Sequence, residues 1–228
     1  MKRVNNLYWI FICSPLFLFM NIVNAQQQVT KGSIHTYSVT AGSDAVDYVY
    51  HWSASGGTSS PFGTGDTTNA ILWDGLPGLY TLSVFVEQPV TKCLGNNQSF
   101  AIRIVGMNIF WSEQSSRQCP STDNETGTFP ITAEYTGIAG NWSFCYRIDD
   151  SSSQKVNVSS GSSSTIYIPG FTNESNSTPE NHAIRITSVT SPDNYTIQYT
   201  GTEPDAASRI YMVTIEPTPG TSGIIQIN

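Results

Sequence analysis

Charged residues, and basic residues above all, are scarce in this sequence of 228 residues. Asp, Glu, Lys and Arg make up 12% of the chain, about half of the usual share, and only 10 basic residues accompany 17 acidic ones. This balance excludes a typical nucleic-acid-binding protein, which needs a basic surface to neutralise phosphates. Because 39% of the residues are hydrophobic and 11% are aromatic, the low charge does not indicate disorder.

Helical patterns are also missing. No stretch of roughly 12 residues repeats its apolar side chains with the period of a helix. Instead, short segments alternate between apolar and polar residues and end at Gly, Pro, Asn or Asp, which predicts strands joined by turns. The clearest of these segments are Leu79–Gln88, Thr128–Thr136 and Asn141–Asp149. The sequence therefore predicts an all-β fold.

The first 25 residues have the pattern of an export signal. Lys2 and Arg3 precede an apolar run at Leu7–Met20, and small side chains at Val23 and Ala25 form a cleavage site. The run is shorter than the ~20 residues that cross a bilayer. We therefore expect 1–25 to be removed, and the mature protein to be exported and not membrane-spanning.

The remaining chain divides into two predicted β-sandwich domains, 26–106 and 107–228. The first has the size and the strand number of an immunoglobulin-like sandwich, with Trp52 as the expected core tryptophan and Tyr80 as the expected tyrosine corner. The second is a larger immunoglobulin-like sandwich with long loops. A barrel of the same strands remains an alternative, because alternation does not separate the two architectures. The short connection predicts end-to-end stacking with a limited hinge.

Cysteines are few, and one of the four lies in the predicted export signal. The other three are Cys93, Cys119 and Cys145. An exported protein meets an oxidising compartment, where an odd number predicts one disulfide and one spare thiol. Cys119 and Cys145 belong to the same predicted domain, so we expect these two to pair. Cys93 is then a buried thiol or a link to another chain.

Side chains for catalysis are equally sparse. The three histidines lie far apart in the sequence and none has metal-ligand spacing, namely His35, His51 and His182. No Gly-x-Ser-x-Gly motif occurs. Cys119 could act as a nucleophile with His182 as its base. That chemistry needs a thiolate at Cys119, and the predicted disulfide removes it. We therefore predict no enzyme, no catalytic residue and no cofactor or metal. A loop calcium site at Asp47, Asp66 and Asp74 stays open as an alternative.

An ordered set of short motifs runs through the first predicted domain. In chain order these motifs are Gly32–Val39, Tyr50–Trp52, Gly56–Gly57, Gly63–Gly65, Ile71–Trp73, Pro77–Val84 and Lys92–Gly95. The set resembles the PKD-like repeats of surface and secreted proteins of the Bacteroidota. The second domain is similar to an Ig-like module of the same lineage, with weaker motifs. The resemblance implies a non-catalytic module in the cell envelope, of the kind that accompanies type IX secretion and gliding machinery.

Two details refine what the resemblance implies. The segment 216–228 lacks the Pro-Asn-Pro start and the lysine-bearing end of a type IX sorting domain, which favours the periplasm or an outer-membrane complex over sorting to the exterior. Asp66-Thr67-Thr68 resembles the acceptor pattern of Bacteroidota O-glycosylation, so Thr67 is a candidate modification site.

The expected function is that of a structural or interaction protein with protein partners in the outer membrane or at the cell surface. Sheet edges are natural docking surfaces, and the final segment, Gly223–Asn228, is expected to add to a neighbouring sheet. A carbohydrate- or ligand-binding module and an adhesin unit remain alternatives. Exposed aromatic residues would mark a glycan site, but the candidates lie in strand patterns that suit a core, namely Trp73, Trp111 and Trp142.

Overall fold

The structure, a computed structural model, describes residues 26–40, 48–59, 67–119, 128–173 and 177–217. In these ranges the regular structure consists of β-strands and one 3-10 turn at Ala206–Arg209. No helix in the described ranges is both long and apolar enough to cross a membrane. The predicted export signal, 1–25, and the final segment, 223–228, lie outside the described residues.

The first unit consists of two sheets that face each other. Its strands are β1 (Gln27–Thr30), β2 (Ile34–Ser38), β3 (Val49–Ala54), β4 (Thr58–Ser59), β5 (Thr68–Leu72), β6 (Gly78–Glu87) and β7 (Gln98–Val105). One sheet has the order β1-β7-β6-β3 and the other has the order β2-β5-β4. Strand β1 runs parallel to β7, and the other pairs are antiparallel. This division of seven strands into two sheets is that of an immunoglobulin-like sandwich.

Alternating residues of the first unit fill the space between its sheets. Leu82 and Val84, on the apolar face predicted from the sequence, are 2% and 4% exposed. The core tryptophan is Trp73 and not Trp52, because Trp73 is completely buried while Trp52 is only half-buried at its margin. The Trp73 indole nitrogen donates to the Tyr37 hydroxyl at 3.0 Å, so its polar atom is satisfied inside the core.

The predicted tyrosine corner is confirmed. The Tyr80 hydroxyl donates to the carbonyl oxygen of Leu76 at 2.8 Å, at the start of β6. The ring of Tyr80 also lies against Gly56, where an added Cβ would come within 2.6 Å of the ring carbon Cε1. Gly56 therefore allows the loop before β4 to approach this ring.

The second unit repeats this architecture with more strands. They are β8 (Asn108–Trp111), β9 (Ser115–Gln118), β10 (Thr128–Thr136), β11 (Trp142–Ile148), β12 (Gln154–Val158), β13 (Ser163–Pro169), β14 (Glu180–Thr190), β15 (Thr196–Gln198) and β16 (Ile210–Ile215). A three-stranded sheet, β13-β10-β8, faces a larger sheet, β12-β11-β14-β16-β9, in which the short strand β15 pairs with the end of β14. Strand β9 runs parallel to β16, as β1 does to β7. Both units are therefore immunoglobulin-like sandwiches with one parallel edge pair.

The core of the second unit is rich in aromatic residues. Trp111 and Trp142 are 2% and 3% exposed, and the Phe144 ring lies between them, at 6.1 Å and 5.7 Å from their ring centroids. The Trp111 indole nitrogen donates to the carbonyl oxygens of Ile184 and Arg209, at 3.1 Å each. The expectation that Trp73, Trp111 and Trp142 serve the core is confirmed, so none of them offers an exposed face for stacking a sugar.

Candidate interaction surfaces

The predicted disulfide between Cys119 and Cys145 is contradicted by the structure. Both cysteines are free, and Cys119 directly follows β9 while Cys145 lies within β11. Strands β14 and β16 lie between these two strands, which places them about 14 Å apart at ~4.8 Å per strand. A disulfide needs Cα atoms within about 7 Å of each other. Cys93 is exposed, so it is not the buried thiol that we expected.

Each histidine lies beside a carboxylate. His35 Nε2 also lies 3.0 Å from the Ser33 hydroxyl, but that hydroxyl donates to the Thr30 carbonyl oxygen, and the same ring nitrogen faces Asp193, so the three side chains do not form a nucleophile–base–acid relay. His51 Nε2 is 2.9 Å from Glu87, and His182 Nδ1 is 2.8 Å from Asp149. The His182 ring also stacks on Phe171, with 4.0 Å between the centroids. Strand β16 separates the strand of His182 from the one that precedes Cys119, so the structure does not join these two as base and nucleophile.

The remaining predicted site residues lie in loops. Thr67 is exposed in a bend just before β5, where its carbonyl oxygen accepts the backbone N–H of Val39 at 2.8 Å. Its side chain is accessible, and its modification stays a prediction. For the open calcium alternative, Asp74 accepts a hydrogen bond from Thr58 at 3.3 Å, while Asp47 and Asp66 lie outside the described residues. The described ranges contain no group of three or more metal-ligating side chains.

A network around Asp193 joins the two units. Asp193 lies in the turn between β14 and β15, and its carboxylate accepts the Thr30 backbone N–H at 2.7 Å and the Thr30 hydroxyl at 2.6 Å. The Ser191 hydroxyl and His35 Nε2, 3.1 Å away, complete the set. The Asp193 side chain is only 10% exposed. Burial alone would raise its pKa, but the hydrogen bonds from His35, Ser191 and Thr30 hold the pKa well below its usual range.

The backbone conformation of Gly32 supports the same contact between the two units. Gly32, which follows Thr30 after one residue, has φ of +89°, a conformation that other residues rarely adopt. A Cβ at Gly32 would lie 2.5 Å from the Tyr195 hydroxyl oxygen in the opposite unit. Glycine therefore lets the turn after β1 approach the β14–β15 turn closely. Sequence patterns indicate a turn at Asp193, but they do not show which strand that turn touches.

Strand β13 is an exposed edge of the second unit. It pairs with β10 on one side, and no strand of the described chain pairs with its other side. The Tyr135 N–H donates to the Ser162 carbonyl oxygen, so the even-numbered residues of β13 form the hydrogen-bonded pairs with β10. Thr165 and Tyr167 consequently direct their N–H and C=O groups away from the sheet. The strand contains no charged residue, and Tyr167 is 68% exposed.

The outer face of the larger sheet carries three basic side chains. Arg147 on β11 lies directly opposite Arg185 on β14, and both project away from the core, since Tyr146 and Ile184 project into it. Lys155 on β12 lies opposite Cys145. Because Cys145 precedes Arg147 by two residues on β11, Lys155 lies on the same face as Arg147. This outer basic face, defined by Arg147, Arg185 and Lys155, was not foreseen from the sequence.

No protein-family model and no curated protein matches this sequence. Solved structures that resemble it include an I-band fragment of titin, with 9% identity and a TM-score of 0.29. The match covers 86% of this chain and 62% of the titin fragment. A Bacteroides ovatus protein, SGBP-B of a mixed-linkage glucan utilization locus in complex with a heptasaccharide, has 9% identity, a TM-score of 0.28 and coverage of 84% and 65%.

The adhesin InvE of Yersinia pseudotuberculosis also resembles this chain, with 11% identity, a TM-score of 0.24 and coverage of 82% of this chain and 61% of the adhesin. The matches thus cover less than two thirds of each of these three solved chains. No function follows from likenesses of this degree.

Proposed function

We propose that this protein is an exported, non-catalytic interaction protein and a subunit of a cell-envelope assembly. The observation that carries the proposal is the unpaired side of β13, a seven-residue edge strand without a charged residue. Exposed edges of this kind are normally protected by charge, proline or a covering segment, because they pair readily with other chains. Strand β13 has a proline only at its last position, Pro169.

The proposed mode of docking is strand addition. A partner segment that pairs with β13 would receive the outward N–H groups of Thr165 and Tyr167 and would donate to their carbonyl oxygens. The exposed ring of Tyr167 would contribute an aromatic contact to the same partner. Backbone pairing supplies affinity without a catalytic group. This mode of action agrees with the described side chains, in which each histidine lies beside a carboxylate and the strands next to Cys119 and Cys145 are far apart.

The cellular location in this proposal rests on the resemblance to PKD-like repeats. The PKD-like motifs and the export signal support residence in the periplasm or at the outer membrane, with a partner in type IX secretion or gliding machinery. The division into domains 26–106 and 107–228 belongs to the same proposal. It is supported by two separate hydrophobic cores, one ending at Ile104 and the next beginning at Ile109.

A matched pair of variants tests docking through β13. Thr165→Pro removes an outward N–H and blocks strand addition, while Thr165→Val keeps the N–H. Both lose the Thr165–Thr132 hydroxyl contact, 2.9 Å long, so their effects on folding are comparable in this respect. After cross-linking in intact cells, wild type and Thr165→Val are expected to recover the same outer-membrane or secretion component. Thr165→Pro is expected to lose it.

Equal recovery by both variants would show that β13 is not the docking edge. Recovery of the wild-type protein alone, with no envelope partner, would overturn the assignment to an assembly. Thermal unfolding of each variant establishes that a lost partner reflects a lost edge and not a lost fold.

A further inference from the structure

The outer basic face contains an unusual pair of like charges. Arg147 and Arg185 occupy directly opposite positions on antiparallel strands, where like charges destabilise a sheet. In the described residues neither guanidinium forms a hydrogen bond or an ion pair. The carboxylate of Asp149, close enough to Arg185 for its pKa to be affected, already accepts the Ala183 N–H at 2.7 Å and the His182 ring. Two adjacent guanidiniums without partners suit an oxyanion.

A small cavity lies beside this pair. Strand β14 pairs with β16 up to Arg185 and with β15 from Ser188 onward, so the sheet has a gap between them. The cavity at the gap has a volume of about 80 Å³, and Arg147, Arg185, Thr187 and Thr200 line it. Since a water molecule occupies about 30 Å³ in the liquid, the cavity has room for a group the size of a carboxylate.

A separate groove lies beside Lys155 on the same sheet. It has a volume of about 520 Å³, and its lining combines apolar side chains with amide, hydroxyl and ammonium groups, including those of Ser143, Lys155, Asn157, Thr190 and Asn194. Ser143 and Lys155 project outward like Arg147, because Ser143 pairs with Asn157 and Lys155 pairs with Cys145 on the outer face. The arginine pair and the outward side chains of the groove therefore lie on the same face of the sheet.

The chemistry of this surface fits a sugar polymer better than a protein. Protein interfaces take most of their affinity from buried aromatic anchors and apolar pockets. Here Trp142 is buried beneath the groove, and the Tyr199 ring beside the small cavity is covered by the Arg209 guanidinium at 4.0 Å. Hydroxyl and amide groups can pair with sugar hydroxyls, and the three cations can pair with carboxylates. The formal net charge of −7 is screened beyond ~8 Å, so the local cluster governs contact.

We propose that the outer basic face binds an acidic polysaccharide, with a uronate carboxylate held between Arg147 and Arg185 and a second one near Lys155. This site is separate from the docking edge β13, which belongs to the opposite sheet of the second unit.

Calorimetric titration of the mature protein tests this proposal with oligogalacturonate of about ten sugars at low salt. The methyl ester of the same oligomer removes the charge while keeping the sugar. The double variant Arg147→Gln with Arg185→Gln removes the arginine pair. Arg103→Gln is the matched control, because Arg103 is an exposed arginine on β7 in the first unit.

We expect the wild-type protein and the Arg103→Gln variant to bind the oligomer within twofold of each other. We expect the double variant and the methyl ester each to weaken binding at least tenfold. The urea midpoint of the double variant should be unchanged or higher, because the like-charge contact is removed.

Equal binding by the double variant, equal binding of the methyl ester, or no binding by the wild-type protein would overturn the proposal. A poly-glutamate peptide of equal charge that binds as tightly as the oligogalacturonate would also overturn it, because the face would then serve an acidic protein.

Discussion

Replacing Asp193 tests whether the two units act as one body. Its carboxylate accepts the Thr30 N–H and the Thr30 hydroxyl from the first unit, and it also accepts the Ser191 hydroxyl within its own turn. A hydrogen bond to a charged group contributes about 1.5–3 kcal/mol. Asp193→Asn keeps one acceptor oxygen and directs an NH₂ group at a donor. We therefore expect a loss of about 2–3 kcal/mol in the free energy of unfolding.

A double-mutant cycle isolates the part of this loss that crosses the junction. Thr30→Val preserves shape and removes the hydroxyl, at an expected cost of about 1 kcal/mol. Because Thr30 belongs to the first unit and Asp193 to the second, a coupling free energy of about 1 kcal/mol would show that the units are docked. Ser191→Ala is the control, because it weakens the Asp193 turn without touching the first unit.

Urea unfolding of the mature protein, followed by tryptophan fluorescence, provides the free energies. Trp73 reports on the first unit, and Trp111 and Trp142 report on the second. Additive losses, within about 0.3–0.5 kcal/mol, would refute a docked junction. In that case the two units would behave as independent bodies on a hinge.

The same network predicts the direction of a pH effect. The pKa of Asp193 is lowered in the folded protein, while an unfolded Asp titrates near pH 3.9. The ionised network therefore stabilises the fold above about pH 4, and this contribution is lost as the pH falls further toward the folded pKa. The Asp193→Asn variant should lack this acid-dependent loss.

The cysteines, the tyrosine corner and the export signal provide three further predictions. Unreduced protein should react with a thiol reagent at all three cysteines, fastest at the exposed Cys93 and Cys119 and more slowly at the half-buried Cys145. A Cys119 that stays unlabelled would instead support the disulfide. Tyr80→Phe should cost about 1 kcal/mol in the free energy of unfolding, since it removes the tyrosine corner, and an unchanged urea midpoint would contradict this. Intact-mass measurement of protein from its native host should show a chain beginning at Gln26, and retention of the first 25 residues would contradict export.

Strand positions are predictable here because burial alternates along each strand. The predicted segment Thr128–Thr136 coincides with β10, and the predicted Asn141–Asp149 differs from β11 by one residue at each end. Strand β9 escapes prediction because Ser115–Gln118 contains no apolar residue. Its place in the sheet depends on backbone pairing with β16, which leaves no periodic signal in the side chains.

Features that depend on contacts between distant strands were not predictable. The Cys119–Cys145 pairing failed because membership of one domain does not reveal that two strands separate the cysteines. The choice of Trp52 over Trp73 failed because alternation shows which face a residue takes, and not how deeply the opposite sheet covers it. Arg147 meets Arg185 only after a register shift between Cys145 and Tyr146, which no sequence pattern indicates.

Site-specific photo-cross-linking tests the docking role most directly. A photoreactive phenylalanine analogue in place of Tyr167 lies on the exposed side of β13, and the same analogue in place of Leu79, which is 67% exposed in the first unit, is the control. In living cells the analogue at position 167 should cross-link to one envelope protein, and the analogue at position 79 should not. Absence of a cross-link at position 167, or the same product from both positions, would contradict docking through this edge.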